Sequence, residues 1–389
     1  MTASSSPVPH AGRRTFLIGV PALGLLGLTA CSKVPDTIRI GVAQPLSGPL
    51  KDLGQDLLDG ALMAVDQLNK EGFKVAGKVV KFEIVAADDK ADAGAGKAAA
   101  QQLITAGVSA VIGHLNSGVS IATAPLYAAQ LIPQLAISTK PEYTQLGHPT
   151  TFRLVANDAL QSKALGAFSA KLPGASVYAV VDDNTPYGKG LAELALAQLK
   201  SREKNVAVRV SLDDKGTDFG ALVSEMKERK VDTLVTTLSD FQVIALTEQL
   251  LSAGVANLNI VGGDTIKTEG LLKINPAIGR IYATTPIVGA SEFGGGREFV
   301  ARYLAKHRHP PVYGAHYAYD AVYAIAYAAR EAKGVEGAAL VEALKKGDPL
   351  APVTGSMRFN DDGEQRYGSV SVYRLQGGNW SLLTRSDVW

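Results

Sequence analysis

Residues 37–71 read TIRIGVAQPLSGPLKDLGQDLLDGALMAVDQLNKE, and two periodicities meet inside them. Thr37–Gln44 is a short β-rich run that stops at the turn-forming stretch Pro45–Pro49. Gly54–Glu71 then places its apolar side chains at helical spacing. The same alternation continues outward. Val79–Ala87 reads as a strand closed by Asp88-Asp89, Ala91–Ala106 as a helix, Ala110–Gly113 as a buried strand, Ser120–Ala129 as a helix and Gln134–Ile137 as a strand. Strands alternating with helices predict parallel βαβ units whose sheet is covered on both faces.

The rhythm restarts after Arg153. Helices are expected at Gln161–Lys171, Tyr187–Arg202, Asp218–Arg229 and Gln242–Ala253, with strands at Ser176–Val181, Ala207–Ser211, Thr233–Thr237, Asn259–Val261 and Arg280–Thr284. Beyond Pro286 and the triplet Gly294-Gly295-Gly296 come three helical stretches, Arg297–His307, Gly314–Ala332 and Gly337–Lys346. The end of the chain changes character. Ser356–Phe359, Gly368–Leu375 and Trp380–Leu383 read as antiparallel strands joined by turns at Asp361-Asp362-Gly363 and Gln376–Asn379. The expected fold class is therefore α/β, two lobes of like construction followed by a helical segment and a β tail.

The composition bounds the function. The 389 residues are 46% hydrophobic and 20% charged, with 39 basic and 37 acidic side chains and a net charge of +2. Arg13 and Arg14 are the only charged side chains in the first thirty residues, so the rest of the chain is balanced. A balanced body lacks the basic footprint of a nucleic-acid binder. Arg13-Arg14-Thr15-Phe16-Leu17 followed by the glycine-interrupted apolar stretch Ile18–Ala30 has the layout of an export signal over residues 1–30, with a partial likeness to a twin-arginine signal; general secretion would also accept it. Leu28-Thr29-Ala30-Cys31 resembles a bacterial lipobox, in which Cys31 carries lipid and residues 31–36 form a tether. Cys31 is the only cysteine, so no internal disulfide is possible, and redox catalysis and cysteine-based zinc sites are excluded.

Several stretches, in order along residues 37–389, resemble the leucine/isoleucine/valine-binding family of type I periplasmic binding proteins, which serve ABC importers. They are Ile40-Gly41-Val42 with Pro45-Leu46-Ser47-Gly48-Pro49, Gly60-Ala61 leading to Ala64-Val65-Asp66, Val111-Ile112-Gly113-His114-Leu115-Asn116-Ser117, Tyr187-Gly188-Lys189-Gly190 behind Asp182-Asp183, and Tyr317–Asp320 followed by Ala321. The resemblance implies two Rossmann-like lobes with parallel central sheets, joined by a three-segment hinge around a ligand cleft. Lobe one would take residues 37–156 and 286–358, and lobe two residues 157–285 and 359–389.

Ligands of open α/β sheets collect beyond the carboxyl ends of strands, where helix N-termini point backbone donors at them. Ser117 stands at such a point and reads either as a helix N-cap or as a hydroxyl donor to a ligand carboxylate. Ser138 and Thr139 follow the strand at 134–137; turn-forming Ser/Thr is the plain alternative. The resemblance gives Thr139 the ligand's α-carboxylate and amine, and Ile137 a backbone contact. Tyr187 matches the tyrosine that closes over the ligand, where packing is the plain reading. Asp264 matches the acidic position that pairs with the α-ammonium, although the family pattern has a glutamate; the bare sequence would read it as a helix cap. Ser239, Phe241 and His316, with Leu50 and Tyr313, complete a candidate side-chain pocket. Ser239 stands where some relatives carry a tyrosine, and Asn116 occupies one position of a cysteine pair that bridges a loop in some relatives.

No G-x-S-x-G elbow or complete phosphate-binding loop is present; Gly94-Ala95-Gly96-Lys97 is followed by Ala98. No catalytic residue, metal site or cofactor is expected. The reading is an exported, lipid-anchored, monomeric solute-binding protein facing the periplasm or cell exterior. It would capture a small amino acid, branched-chain or related, by hinge closure and hand it to an ABC permease in the inner membrane. The alternatives are the same fold binding an aromatic acid or amide, a surface hydrolase, or a ligand sensor for a membrane receptor.

Overall fold

The computed structural model describes residues 34–389, the Pro186 side chain excepted. The expected signal, the lipobox and Cys31 lie outside the described residues. The chain begins with β1 (Thr37–Gln44), α1 (Lys51–Glu71), the small hairpin β2 (Lys74–Val75) and β3 (Lys78–Val79), β4 (Lys81–Asp88), α2 (Ala93–Thr105), β5 (Ala110–Gly113), α3 (Ser117–Ala128), β6 (Gln134–Ala136) and β7 (Thr151–Arg153). The long strands form a five-stranded sheet in the order β4-β1-β5-β6-β7, parallel throughout.

Alternation along β1 explains the layers. Ile38, Ile40 and Val42 enter one core with Leu57 and Leu68 of α1, while Ala43 faces the opposite core with Leu103 and Val111. Each such fully buried aliphatic side chain contributes about 1.5–3 kcal/mol. Gly41 is glycine for close approach, because a Cβ there would lie 2.9 Å from Leu103 Cδ1.

The second half supplies α4 (Asp158–Lys171), β8 (Val177–Asp182), α5 (Pro186–Lys200), β9 (Asn205–Ser211), α6 (Gly220–Glu228), β10 (Thr233–Thr236), α7 (Asp240–Ser252), β11 (Leu258–Gly262) and β12 (Gly279–Thr285). After α8 (Gly296–His307), α9 (Ala315–Glu331) and α10 (Gly337–Lys346), the chain ends in β13 (Val370–Gln376) and β14 (Asn379–Ser386). These strands form a seven-stranded sheet in the order β14-β13-β12-β11-β10-β8-β9, with β13 and β14 antiparallel. Alternation again sorts the faces. Val181, Leu234 and Ile260 pack on Met226 and Leu246, whereas Val180, Val235 and Val261 pack on Leu165 and Leu191.

The α8–α10 segment covers the first sheet, with Phe299, Tyr319 and Leu344 in the same core as Ile38 and Leu57. Gly60 of α1 permits this, since a Cβ there would lie 1.9 Å from the Ala315 carbonyl oxygen. The chain therefore passes three times between the two sheets: after β7, after β12, and after Phe359. The passages touch. Arg153 N donates to Gly363 O at 2.8 Å, and Gly289 N donates to the Tyr373 hydroxyl at 3.3 Å.

Two local expectations are corrected. Ser356–Phe359 forms no strand, only an isolated bridge between Phe359 and Gln365. The first sheet ends at β7; Phe359 packs edge-on against Phe152 at 5.0 Å, and the Ser356 carbonyl is taken by Gln365 Nε2. The helix expected from Gln161 begins at Asp158, because the Asn157 side chain accepts from Leu160 N at 3.0 Å and caps it there. Among the described residues, no helix is long and apolar enough to cross a membrane, and no three His, Cys, Asp or Glu side chains cluster as metal ligands.

Candidate functional site

The sheets present their carboxyl ends to one another. From the first sheet, β5 leads to Asn116 and the start of α3, and β6 leads to Ile137-Ser138-Thr139. From the second, β8 leads to Asp183 and the start of α5, and β11 leads through Gly263 to a single 3-10 turn, Asp264–Ile266. An open cleft of about 410 Å³ lies between them, with Lys140 and Glu142 on one wall and Asp158, Tyr187, Glu193 and Leu194 on the other. That size suits a small-molecule ligand.

Asp264 does not cap a helix. Its Oδ1 accepts from the Tyr187 hydroxyl in a short hydrogen bond and from Gln161 Nε2 at 3.2 Å. Gln161 Nε2 also donates to the Thr284 carbonyl at 3.0 Å, which fixes the amide, while its Oε1 is buried without a partner. Asp158, one helical turn before Gln161, is 5% exposed, and its Oδ1 is likewise buried without a partner. Burial raises the Asp158 carboxyl to about 6, and the Asp264 charge adds to that rise against the Thr139 hydroxyl. Burial and the Asp264 charge likewise push the Tyr187 and Tyr313 phenols up, so both stay protonated donors at neutral pH. Tyr313 comes from the opposite side of the cleft, immediately before α9.

The other wall carries hydroxyl side chains and a helix N-terminus. The Ser117 hydroxyl accepts from Lys140 N at 3.3 Å, joining the β5 and β6 loops. Ser117 is the first residue of α3 and Asn116 the cap position, so the helix's first-turn N–H groups point outward beside that hydroxyl. Thr139 is half-buried, and its carbonyl accepts from Asp158 N at 2.8 Å across the cleft floor. The same wall carries the ion pair Lys140–Glu142, 2.7 Å apart.

The remaining candidates are spread more widely. Ile137 is 3% exposed and packs in the first-sheet core, so only its backbone faces the loop. The Ser138 hydroxyl is engaged within the protein, with Ser120 Oγ at 2.5 Å and the His114 carbonyl at 3.1 Å. Ser239 opens α7 beyond β10; its N–H donates to Gln242 Oε1 at 3.2 Å, and the neighbouring Leu238 carbonyl accepts from Thr265 Oγ beside Asp264. Phe241, in the first turn of α7, is 45% exposed. Leu50 is the cap position of α1. The structure does not bring His316 into the group. It is buried among Phe293, Phe299 and Tyr317, with Nε2 3.0 Å from the Val288 carbonyl, and burial lowers it to about 3. Asp158 and Gln161 are absent from the sequence-based set; the pair Asn157-Asp158 is a helix-start signal that points to both, since residues three apart share a helix face.

A sequence profile of the family described as periplasmic binding protein matches residues 37–379. A Leu/Ile/Val-binding protein homolog of Brucella abortus is 26% identical over 368 residues, covering 94% of this chain and 97% of the relative. The branched-chain amino acid transporter substrate-binding protein LivJ of Streptococcus pneumoniae, solved with isoleucine, superposes with a TM-score of 0.75 at 25% identity, covering 90% of this chain and 99% of that one. A solute-binding protein of an ABC transporter from Rhodopseudomonas palustris, solved with 3,4-dihydroxybenzoic acid, gives 0.75 at 20% identity over 91% of this chain and 98% of its own.

Proposed function

The chain belongs to the periplasmic binding proteins, the substrate-binding components of ABC transporters, and from that premise we propose that its cleft captures a small zwitterionic amino acid, branched-chain or related. The ammonium sits between Asp264 and Asp158 with Tyr187 beside it; the carboxylate meets Ser117, Thr139 and the N-terminus of α3. The observation that carries this reading is the pair of carboxylates on one wall, one with a buried oxygen that has no partner. An ammonium satisfies that oxygen and offsets two like charges at once. An aromatic acid, such as the one bound by the Rhodopseudomonas protein, has no cation to place there. Asp264 is one carbon shorter than the glutamate of the family pattern, and Asp158 supplies the second contact that the shorter arm requires.

The energetics are adequate without covalent chemistry. Charge-assisted hydrogen bonds contribute roughly 1.5–3 kcal/mol each, and micromolar affinity needs about 8 kcal/mol. Hinge closure of lobe two over lobe one removes the ligand from water and strengthens each contact. In this reading the protein is exported, anchored by lipid at Cys31, and delivers its ligand to an ABC permease as a monomer. Incorporation of labelled palmitate that disappears in Cys31→Ala tests the anchor.

The deciding experiment is a thermal-shift screen of the 32–389 chain against leucine, isoleucine, valine, alanine and 4-hydroxybenzoate. A ligand at 100 times its Kd stabilises the fold by about 2.7 kcal/mol. A shift with amino acids and none with the benzoate supports the reading; the reverse pattern overturns it. Asp264→Ala should weaken amino-acid binding by about 2–5 kcal/mol, because it leaves a buried ammonium short of a counter-charge.

A further inference from the structure

The Arg153 side chain is fully buried at the end of β7, where the chain first leaves the five-stranded sheet. Its guanidinium divides its donors between two regions. Nη1 donates to the Ser138 carbonyl in a short bond, and Nη2 donates to the Lys140 carbonyl at 2.9 Å and to Thr144 Oγ at 3.2 Å. Nε spans both oxygens of Glu364, at 3.1 and 3.0 Å. Glu364 lies on the third passage between the sheets, and it also accepts from Thr144 Oγ at 2.5 Å. Three consecutive carbonyls of the loop after β6 are thus fixed from outside: 138 and 140 by Arg153, and 139 by Asp158 N. The central one of the three belongs to Thr139.

We propose that Arg153 is the positioning residue of the ligand loop: its buried fork sets the 138–140 backbone, and through Glu364 it couples that loop to the passage along which the two sheets move. Lysine cannot reproduce this, since a single ammonium has no planar fork to meet a carboxylate and two carbonyls together. The part of the inference that concerns ligand affinity rests on the amino-acid reading above; the part that concerns the loop does not.

Two measurements separate them. In the ligand-free protein, hydrogen exchange at the amides of Lys140, Tyr143 and Asp158, each bonded to or from this loop, should quicken at least tenfold in Arg153→Lys and less in Glu364→Gln. Amides of β10 and β11 should be unchanged. In calorimetric titration with leucine, Arg153→Lys should raise Kd at least tenfold, and the penalty of Thr139→Ala should shrink in the Arg153→Lys background, because the hydroxyl is already misplaced. Arg302→Lys, which lies on α8 and bonds Gln67, serves as the control for stability loss alone; it should leave Kd within twofold.

Unchanged loop exchange, or additive Thr139 and Arg153 penalties, overturns the proposal. Should Arg153→Lys fail to fold, Glu364→Gln carries both measurements. Wild type that ignores leucine, isoleucine, valine and alanine alike overturns the amino-acid reading, while the exchange measurement still judges the loop.

Discussion

Asp158 is a buried acid with one oxygen unpaired, and its behaviour with pH follows from that. In the folded protein it titrates near 6, against an ordinary value of 3.8. The native state therefore keeps a proton between these values that the unfolded chain has released. The stability from this group is complete below about pH 4 and is lost as pH rises through 6, about 3 kcal/mol in all. Asp158→Asn should accordingly raise the melting temperature of the ligand-free protein by several degrees at pH 7.5 and by much less at pH 4.5. The same substitution should weaken amino-acid binding. Wild-type Kd should be flat from pH 7 to 8 and rise by up to tenfold per unit below 6, since the ammonium then has to displace a proton. Titrations across this range check both. Asp264 and Tyr187 are legible as candidates only through the family resemblance, and their mutual hydrogen bond joins residues 77 apart in sequence. Only the fold brings that pair together, and the unpaired Asp158 oxygen has no sequence signature at all.

At the scale of elements, α9 is begun by a side chain from another helix. The Asp56 carboxylate of α1 accepts from the backbone N–H groups of Val312, Tyr313, Gly314 and Ala315 at 2.8–3.0 Å, and from the Tyr303 hydroxyl at 3.1 Å. Gly314, the local cap position, has no side chain to do so. Asp56→Ala strands those donors in a buried site and should cost on the order of 3–5 kcal/mol, measured by denaturant unfolding. It should also loosen Tyr313 and thereby weaken ligand binding. The order of helices and parallel strands is legible because the strands are short β-rich runs separated by longer stretches of helical spacing, although α4 has no distinct apolar face and α9 is buried nearly all round. What misled was local. Ser356–Phe359 has strand composition, but the edge strand β7 beside it bonds Gly363 instead, through Arg153 N. The expected α4 start lies three residues late because Asn157 caps the helix ahead of it, and Asp158 falls outside the candidates for that reason. His316, expected in the candidate side-chain pocket, is turned by helical geometry into the aromatic cluster around Phe299.

At the scale of the molecule, the proposed mechanism requires the two sheets to approach around the ligand. Small-angle scattering at saturating leucine should give a smaller radius of gyration than the ligand-free protein; superimposable curves would contradict closure. The three passages between the sheets also govern how the molecule comes into being. The β-strands of the first sheet leave the ribosome early, yet α8–α10, which cover them, are synthesised only after the whole parallel part of the second sheet. Neither half is an uninterrupted stretch of gene, and neither can finish as an N-terminal unit while the rest is being made. Until the last quarter of the chain emerges, Ile38, Ile40 and Val42 have α1 to lean on but not α9, and an apolar face waits uncovered. A nascent chain in that condition is a substrate for holding chaperones, and its biogenesis is set by the arrival of its tail.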